Sequence, residues 1–334
     1  MRRCPPPVLA LLAILALVAS CGGPPAGGTR DAPSPAPAPS SPPPAVAGQP
    51  APGPAKVIGV TLLNRGALFY RDLEEGLREA ARRHGFELVV TAADFDLGRQ
   101  SAQMEDFVAR KVDAIVLCPV DSRGVGPAVR RANAAGIPVF TADIAAQEGE
   151  VVCHVASDNV AGGRLAGEYL AKALGGKGRV AIINQPVVTS VLDRVQGFRE
   201  AIARFPGIEI VADVNGQGVR DKALEATSDV LQAHSELGGI FGINDDSVLG
   251  ALDAVRQFKR DGVVLVGYDA TEPAVDAITK GTALKADVIQ YPRKIGVTTI
   301  DTIAAHFAGT ALPKTIPVEV GIVDKESLAA PAAR

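Results

Sequence analysis

The 334-residue chain has only four cysteines and four histidines, and its charge is nearly balanced: 34 Lys and Arg stand against 37 Asp and Glu, for a net charge of −3. No basic block occurs, so the electrostatic footprint of a nucleic-acid-binding protein is missing. No Gly-rich phosphate loop, no Ser/His/Asp order and no metal-spaced His/Cys set is found. Nothing therefore calls for an enzyme, a cofactor or a metal. The apolar run over 8–18 is too short to span a bilayer comfortably. Cys4 and Cys21 lie in the first 21 residues, which leaves Cys118 and Cys153 in two separate apolar runs further on. A disulfide between them is permitted outside the cytoplasm, but the reading preferred for both is a small buried hydrophobe.

What is present begins with an export signature. Arg2 and Arg3 precede the apolar run, and Ala19-Ser20 forms a small-residue approach to a cleavage site over 1–20. Cys21 follows directly, and the stretch resembles a bacterial lipobox, in which Cys21 carries the lipid and holds the protein at the cell envelope without a transmembrane helix. Gly22, in place of an Asp, favours outer-membrane sorting by the same analogy. Residues 21–55 are dominated by Pro, Ala, Gly and Ser and cannot bury enough apolar surface to offset the entropy of ordering. This tether is expected to be disordered, with a reach on the order of 100 Å.

From 56 onward the pattern alternates strand and helix. Short apolar runs predict strands over 57–62, 87–91, 114–117, 138–141 and 151–155, with helices over 69–84, 100–109 and 125–135 between them. Asn159 is expected to cap a helix running through Leu174. Strands over 180–183, 208–214, 240–242, 263–268 and 283–288 follow, separated by helices that start near Val188, Arg220, Asp245 and Glu272. A helix over 295–307 and one extended segment over 317–323 complete the chain. Apolar strands alternating with amphipathic helices predict an α/β fold of two parallel-sheet lobes, whose facing carboxyl edges would make a cleft.

Several stretches carry a family resemblance: GEVVCHVASDN over 149–159, GG at 162–163, GEYLAK over 167–172, CPVDS over 118–122 and GIPV over 136–139. ND at 244–245 with LGAL over 249–252, GYD over 267–269 and QYP over 290–292 continue it. Together they resemble the ribose-binding proteins of bacterial ABC importers, in register over 57–323. The resemblance implies a type I periplasmic binding protein: two flavodoxin-like lobes, 56–157 with 291–318 and 158–290 with 319–334, joined by three crossings. The crossings fall at Ser157, Asp158 and Asn159, at Gln290 and Tyr291, and at Val318, Glu319 and Val320. It also implies a monomer that closes on a small solute and presents both lobes to an ABC permease.

Carried over by similarity, Phe69 and Tyr70 hold the apolar face of a sugar, while Asp143, Asn244, Asp269 and Gln290 meet its hydroxyls. Each position has a second reading. Phe69 and Tyr70 could be core residues of the first helix, Asn244 a helix cap, Asp143 and Asp269 solvated loop acids, and Gln290 a hinge residue. His154, inside an apolar run, reads as structural.

Departures from the family bear on the ligand. Ile144 and Leu192 stand where ribose-binding proteins carry sugar-binding arginines, Ala67 and Cys118 where they carry asparagines, and Gly218 where the second lobe supplies an aromatic. Two lost charged hydrogen bonds would weaken ribose by ~3–6 kcal/mol, so ribose is not the expected ligand. Two carboxylates without those cations point to an uncharged sugar or polyol rich in donors, or to an amine-bearing solute, unless Arg65 or Arg220 swings in. Three rival classes remain. An enzyme using Asp143 and Asp269 as an acid/base pair lacks any supporting motif. A sugar-responsive repressor would need a DNA-binding helix-turn-helix where the export signature stands. A sensory binding protein that signals to a chemoreceptor or histidine kinase would look the same in sequence.

Overall fold

The computed structural model describes residues 55–260 and 262–330. The expected signal segment, Cys21 and all but the last residue of the expected tether lie outside the described residues.

Runs in which every residue is buried, such as Ala114–Leu117 and Val139–Ala142, suit only sheets covered on both faces. The first part of the chain runs β1 (Val57–Leu62), α1 (Leu68–His84), β2 (Glu87–Ala92), α2 (Leu97–Ala109), β3 (Ala114–Leu117), α3 (Gly126–Ala134), β4 (Val139–Ala142) and β5 (His154–Ser157). The second runs α4 (Asn159–Ala173), β6 (Lys177–Asn184), α5 (Thr189–Ile202), β7 (Gly207–Asn215), α6 (Arg220–Ala233), β8 (Leu237–Gly242), α7 (Asp245–Gln257), β9 (Val264–Asp269), α8 (Glu272–Thr279) and β10 (Leu284–Ile289). The last elements are α9 (Pro292–Phe307), β11 (Thr315–Val318), β12 (Gly321–Asp324) and α10 (Lys325–Ala329).

Two six-stranded sheets result, in the orders β11-β5-β4-β3-β1-β2 and β12-β10-β9-β8-β6-β7. Among the described residues every pairing is parallel except β10 with β12. The α/β architecture of two doubly covered sheets is therefore as the alternation of apolar strands and amphipathic helices predicts.

The chain passes between the sheets three times: from β5 into α4, from β10 into α9, and from β11 into β12. Ser157 pairs with Val318 at the end of the β5–β11 ladder, and the amide of Asp158 donates to the Val318 carbonyl at 2.9 Å, so two of these passages are stitched together. Gln290 and Tyr291 lie in the second passage, and Glu319 and Val320 in the third.

Three local expectations are corrected. The segment over 317–323 is not one extended piece: β11 joins the first sheet and β12 the second, so the chain changes sheets within it. The residues at 151–153 precede the strand, which is confined to His154–Ser157. Asp158, not Asn159, caps α4, because its carboxylate accepts from the Ala161 amide. That leaves the buried Asn159 side chain free for other work.

Each half packs a helix pair through reciprocal glycines. A Cβ on Gly76 of α1 would come within 2.1 Å of the Arg293 carbonyl, and one on Gly296 of α9 within 2.3 Å of the Leu73 carbonyl. In the second half, a Cβ on Gly163 of α4 would lie 1.9 Å from the Arg194 carbonyl, and one on Gly197 of α5 would lie 2.0 Å from that of Val160. These contacts bring backbone against backbone and fix where α5, and Arg194 on it, sits.

Candidate functional site

Loops at the carboxyl ends of the strands of both sheets enclose one cavity of about 60 Å³. From the first sheet come Phe69 and Tyr70 after β1, Phe95 after β2, and Asp143 with Ile144 after β4. From the second come Gln185 and Arg194 after β6, Gly218 after β7, Asn244 after β8, Asp269 at the end of β9, and Gln290 after β10. Phe69, Tyr70, Asp143, Asn244, Asp269 and Gln290, chosen from sequence, are thus brought to one place.

The chain bends sharply to deliver the two acids. Asp143 has φ 66°, and the amide of Ile144 donates to the Ala142 carbonyl at 2.7 Å, which makes a γ-turn centred on Asp143. Asp269 has φ 122° and Ala270 φ 54°. Non-glycine residues held at such angles cost energy that the surroundings must supply, and they cluster at functional sites.

On the first wall, the Phe69 and Tyr70 rings meet edge to face at 5.2 Å between centroids. The Tyr70 hydroxyl donates to Asp143 Oδ2 at 2.7 Å. Burial raises the Asp143 carboxyl above the ordinary range, against the opposing pull of Arg194 and of the Tyr70 hydrogen bond. Its other oxygen, Oδ1, is buried without a hydrogen-bond partner among the described residues.

On the second wall, Asp269 Oδ1 accepts from Gln290 Nε2 at 2.6 Å. Burial raises its carboxyl strongly; Arg194 opposes this, while the Asp245 charge adds to it. Gln290 Oε1 is likewise buried and unpartnered among the described residues. The Asn244 side chain caps α7 by accepting from the Ser247 amide at 2.9 Å and donates to the Gly218 carbonyl at 3.1 Å, so capping and a place in the cavity wall coexist.

Behind Asp269 lie the buried carboxyls of Asp245 and Asp287; burial raises both, and the Asp245 charge adds to the rise at Asp287. Asp245 Oδ2 accepts from the Thr271 amide at 2.7 Å, and Asp287 Oδ1 accepts from the Ala270 amide at 3.0 Å. The remaining oxygens, Asp245 Oδ1 and Asp287 Oδ2, have no hydrogen-bond partner among the described residues.

The residue that sequence reasoning missed is Arg194, which is 5% exposed. Its Nε donates to Asn159 Oδ1 at 2.9 Å and its Nη1 to the Ile243 carbonyl at 2.7 Å, and Nη1 lies 3.8 Å from Asp269 Oδ1. The carboxylates are therefore not left without a cation. One arginine thus stands among two cavity carboxylates, which weakens the ground for an amine-bearing ligand.

Arg65 and Arg220 are corrected as well. Arg65 pairs with Glu74 at 3.2 Å and donates to the Val90 carbonyl, while Arg220 pairs with Asp253 at 2.8 Å; both are held on the outer surface. Leu192 is 41% exposed and stands apart from the residues that line the cavity. Cys118 is fully buried beneath the wall, its amide bonded to the Thr61 carbonyl and its carbonyl to Gln100 Nε2, so it supports the site without facing it. Ile144, Gly218 and Ala67 do line the cavity. Cys118 and Cys153 are both free thiols. Phe95, at φ 64° and 44% exposed, is a third aromatic at the mouth that loop sequence gives no period to reveal.

No group of three His, Cys, Asp or Glu among the described residues is placed to hold a metal ion. No helix among them is long and apolar enough to cross a membrane.

The family described as periplasmic binding protein domain matches residues 58–311. The ribose import binding protein of Escherichia coli is 34% identical over 259 residues, 77% of this chain and 87% of that protein. A xylitol-binding protein of Mycolicibacterium smegmatis is 31% identical over 68% of this chain and 65% of its own length. Among solved structures, an ABC transporter periplasmic solute binding protein from Actinobacillus succinogenes with bound D-allose superposes with a TM-score of 0.75 at 29% identity, covering 81% of this chain and 98% of that one. The two-sheet fold, the cavity at the strand ends and these similarities agree: the chain belongs to the type I periplasmic binding proteins of ABC importers, of the ribose-binding-like kind.

Proposed function

We propose that this protein is an exported, lipid-anchored binding protein that captures an uncharged sugar or polyol other than ribose and delivers it to an ABC importer. The observation that carries the ligand class is the pair of unpartnered buried acceptors, Asp143 Oδ1 and Gln290 Oε1, contributed by the two sides of a cavity that also presents Phe69. A molecule with several hydroxyl donors and an apolar C–H face satisfies both acceptors and the ring. Leaving such acceptors unmade costs ~1–3 kcal/mol each, so a donor-rich ligand gains at both ends.

The lining also argues against ribose, since Ile144 stands where the resemblance implies a sugar-binding arginine and Arg194 is already engaged with Asn159 and Ile243. The cavity of about 60 Å³ is far below the ~300–1,000 Å³ typical of ligand sites. Admission of a solute then requires the two sheets to part about the passages at Ser157 to Asn159, Gln290 to Tyr291, and Val318 to Glu319. The two lobes of this hinge are 56–157 with 291–318 and 158–290 with 319–334. Ligand contacts made only when both walls are engaged draw the population toward the closed form.

Calorimetric titration against xylitol, D-allose, myo-inositol, pentoses and ribose tests the ligand class. At least one neutral polyol or sugar should bind more tightly than ribose; nanomolar ribose binding would overturn the reading. Metabolic labelling with a radioactive fatty acid tests the anchor: incorporation should be lost in Cys21→Ser, and an unlabelled wild type would refute it.

A further inference from the structure

In the second wall of the cavity, the position where related proteins supply an aromatic is Gly218, and the lining residues from that side include no aromatic ring. The space is used by another residue. Gly218 adopts φ 68°, and a Cβ placed on it would come within 2.3 Å of Gln185 Oε1 and 3.0 Å of Gln185 Cδ. The Gln185 carboxamide therefore lies directly over the bare glycine, where a larger residue would expel it. Gln185 follows β6, is 8% exposed and lines the cavity. Its backbone is pinned by an amide hydrogen bond to Asn184 Oδ1 at 2.7 Å and by the Val187 amide donating to its carbonyl at 2.9 Å. The side-chain amide itself makes no hydrogen bond to the described residues, which leaves a donor and an acceptor on a fixed stem facing the solute.

We propose that Gln185, seated over Gly218, is a specificity-determining residue that reads a hydroxyl on the face of the ligand turned away from Phe69. The proposal rests on the sugar or polyol reading above and narrows it. Between two aromatic rings, a sugar must be apolar on both faces. Between Phe69 on one side and a carboxamide on the other, the favoured ligand has one C–H face and one face bearing a polar group. The class is a cyclitol or pyranose with an axial hydroxyl, which can both donate to Oε1 and accept from Nε2. A ligand without that hydroxyl leaves the amide stripped of water and unpaired, which is how a site built for a hydroxyl discriminates against its absence.

The test uses two pairs that differ at one stereocentre: myo-inositol against scyllo-inositol, and D-allose against D-glucose. The wild type should bind the axial member of the pair it accepts more tightly. Gln185→Met, which keeps volume and removes the amide, should weaken that member about 3–10-fold and leave the equatorial one within twofold. Gly218→Ala, whose added carbon displaces the amide, should lose the same discrimination and guards against a Gln185→Met variant that fails to fold. A wild type that prefers the equatorial member, or variants whose discrimination is unchanged, overturns the role of Gln185 while leaving sugar binding intact. A wild type that binds none of the four, nor any polyol or pentose of the wider panel, overturns both readings.

Discussion

The guanidinium carbon of Arg194 lies 3.9 Å from the centroid of the Tyr268 ring, and both residues bond to the same atom, Asn159 Oδ1. Asn159 in turn donates to the Ser157 carbonyl in the passage between the sheets. The cation beside Asp269 is thus tied directly to the segment about which the lobes are proposed to move.

Replacing Arg194 by Met should be among the most damaging single changes. It leaves Asn159 Oδ1 with one donor fewer, strips the Ile243 carbonyl of its side-chain partner, and leaves the raised Asp269 carboxyl without a nearby cation. Removing one member of a buried ionic network costs roughly 3–5 kcal/mol. Urea denaturation should register that loss; a cost below about 1 kcal/mol would show that the network is not a structural unit.

Tyr70→Phe should separate support from packing. The ring contact with Phe69 survives, but Asp143 then has both oxygens unpartnered in a buried position. A hydrogen bond to a charged group contributes ~1.5–3 kcal/mol, and a shift of that size in unfolding free energy is expected at pH 7. At a pH low enough to protonate Asp143 the penalty should shrink.

Gly163→Ala tests the helix pair that holds Arg194 in place. A methyl group 1.9 Å from the Arg194 carbonyl forces α4 and α5 apart. Overpacking of this kind typically costs ~1–3 kcal/mol. Solute affinity should fall with stability, because the same displacement moves Arg194 relative to Asp269.

How much of this was legible in the sequence follows from the range of the forces involved. Strand and helix order is local: Ala114–Leu117 and Val139–Ala142 read directly as buried strands. The family resemblance supplied Phe69, Tyr70, Asp143, Asn244, Asp269 and Gln290, which periodicity alone reads as core, cap or loop. Arg194 did leave a signal that was missed, since it falls on the buried stripe of α5 with Val191, Val195 and Phe198, where a lone charged residue demands a partner. Gln185 and Phe95 lie between elements and have no period to betray them. The split of 315–324 between two sheets depends on pairing with strands far away in sequence, beyond the reach of any local rule.

His154 gives a pH signature outside the cavity. Burial depresses its imidazole to about 4, opposed by a hydrogen bond from the ring to the Thr141 backbone. In the unfolded chain it takes up a proton near pH 6.5, so between 6.5 and 4 the unfolded state binds more protons and stability falls as the pH falls. The contribution fully present above 6.5 is about 3 kcal/mol and should be lost by pH 4. The difference in unfolding free energy between wild type and His154→Gln should change by that order between pH 7 and pH 4.5. A constant difference would mean that His154 is charged or solvated in the fold.

In the proposed mode of binding, one solute is gripped by groups from both sheets at once. Titrating the preferred neutral ligand into wild type, Asp143→Ala and Asp269→Ala tests it most directly. One site per chain is expected in the wild type and at least a tenfold loss of affinity in each variant, because the two acids stand on opposite walls. Binding that is unaffected by either substitution, in variants that remain folded, would contradict it.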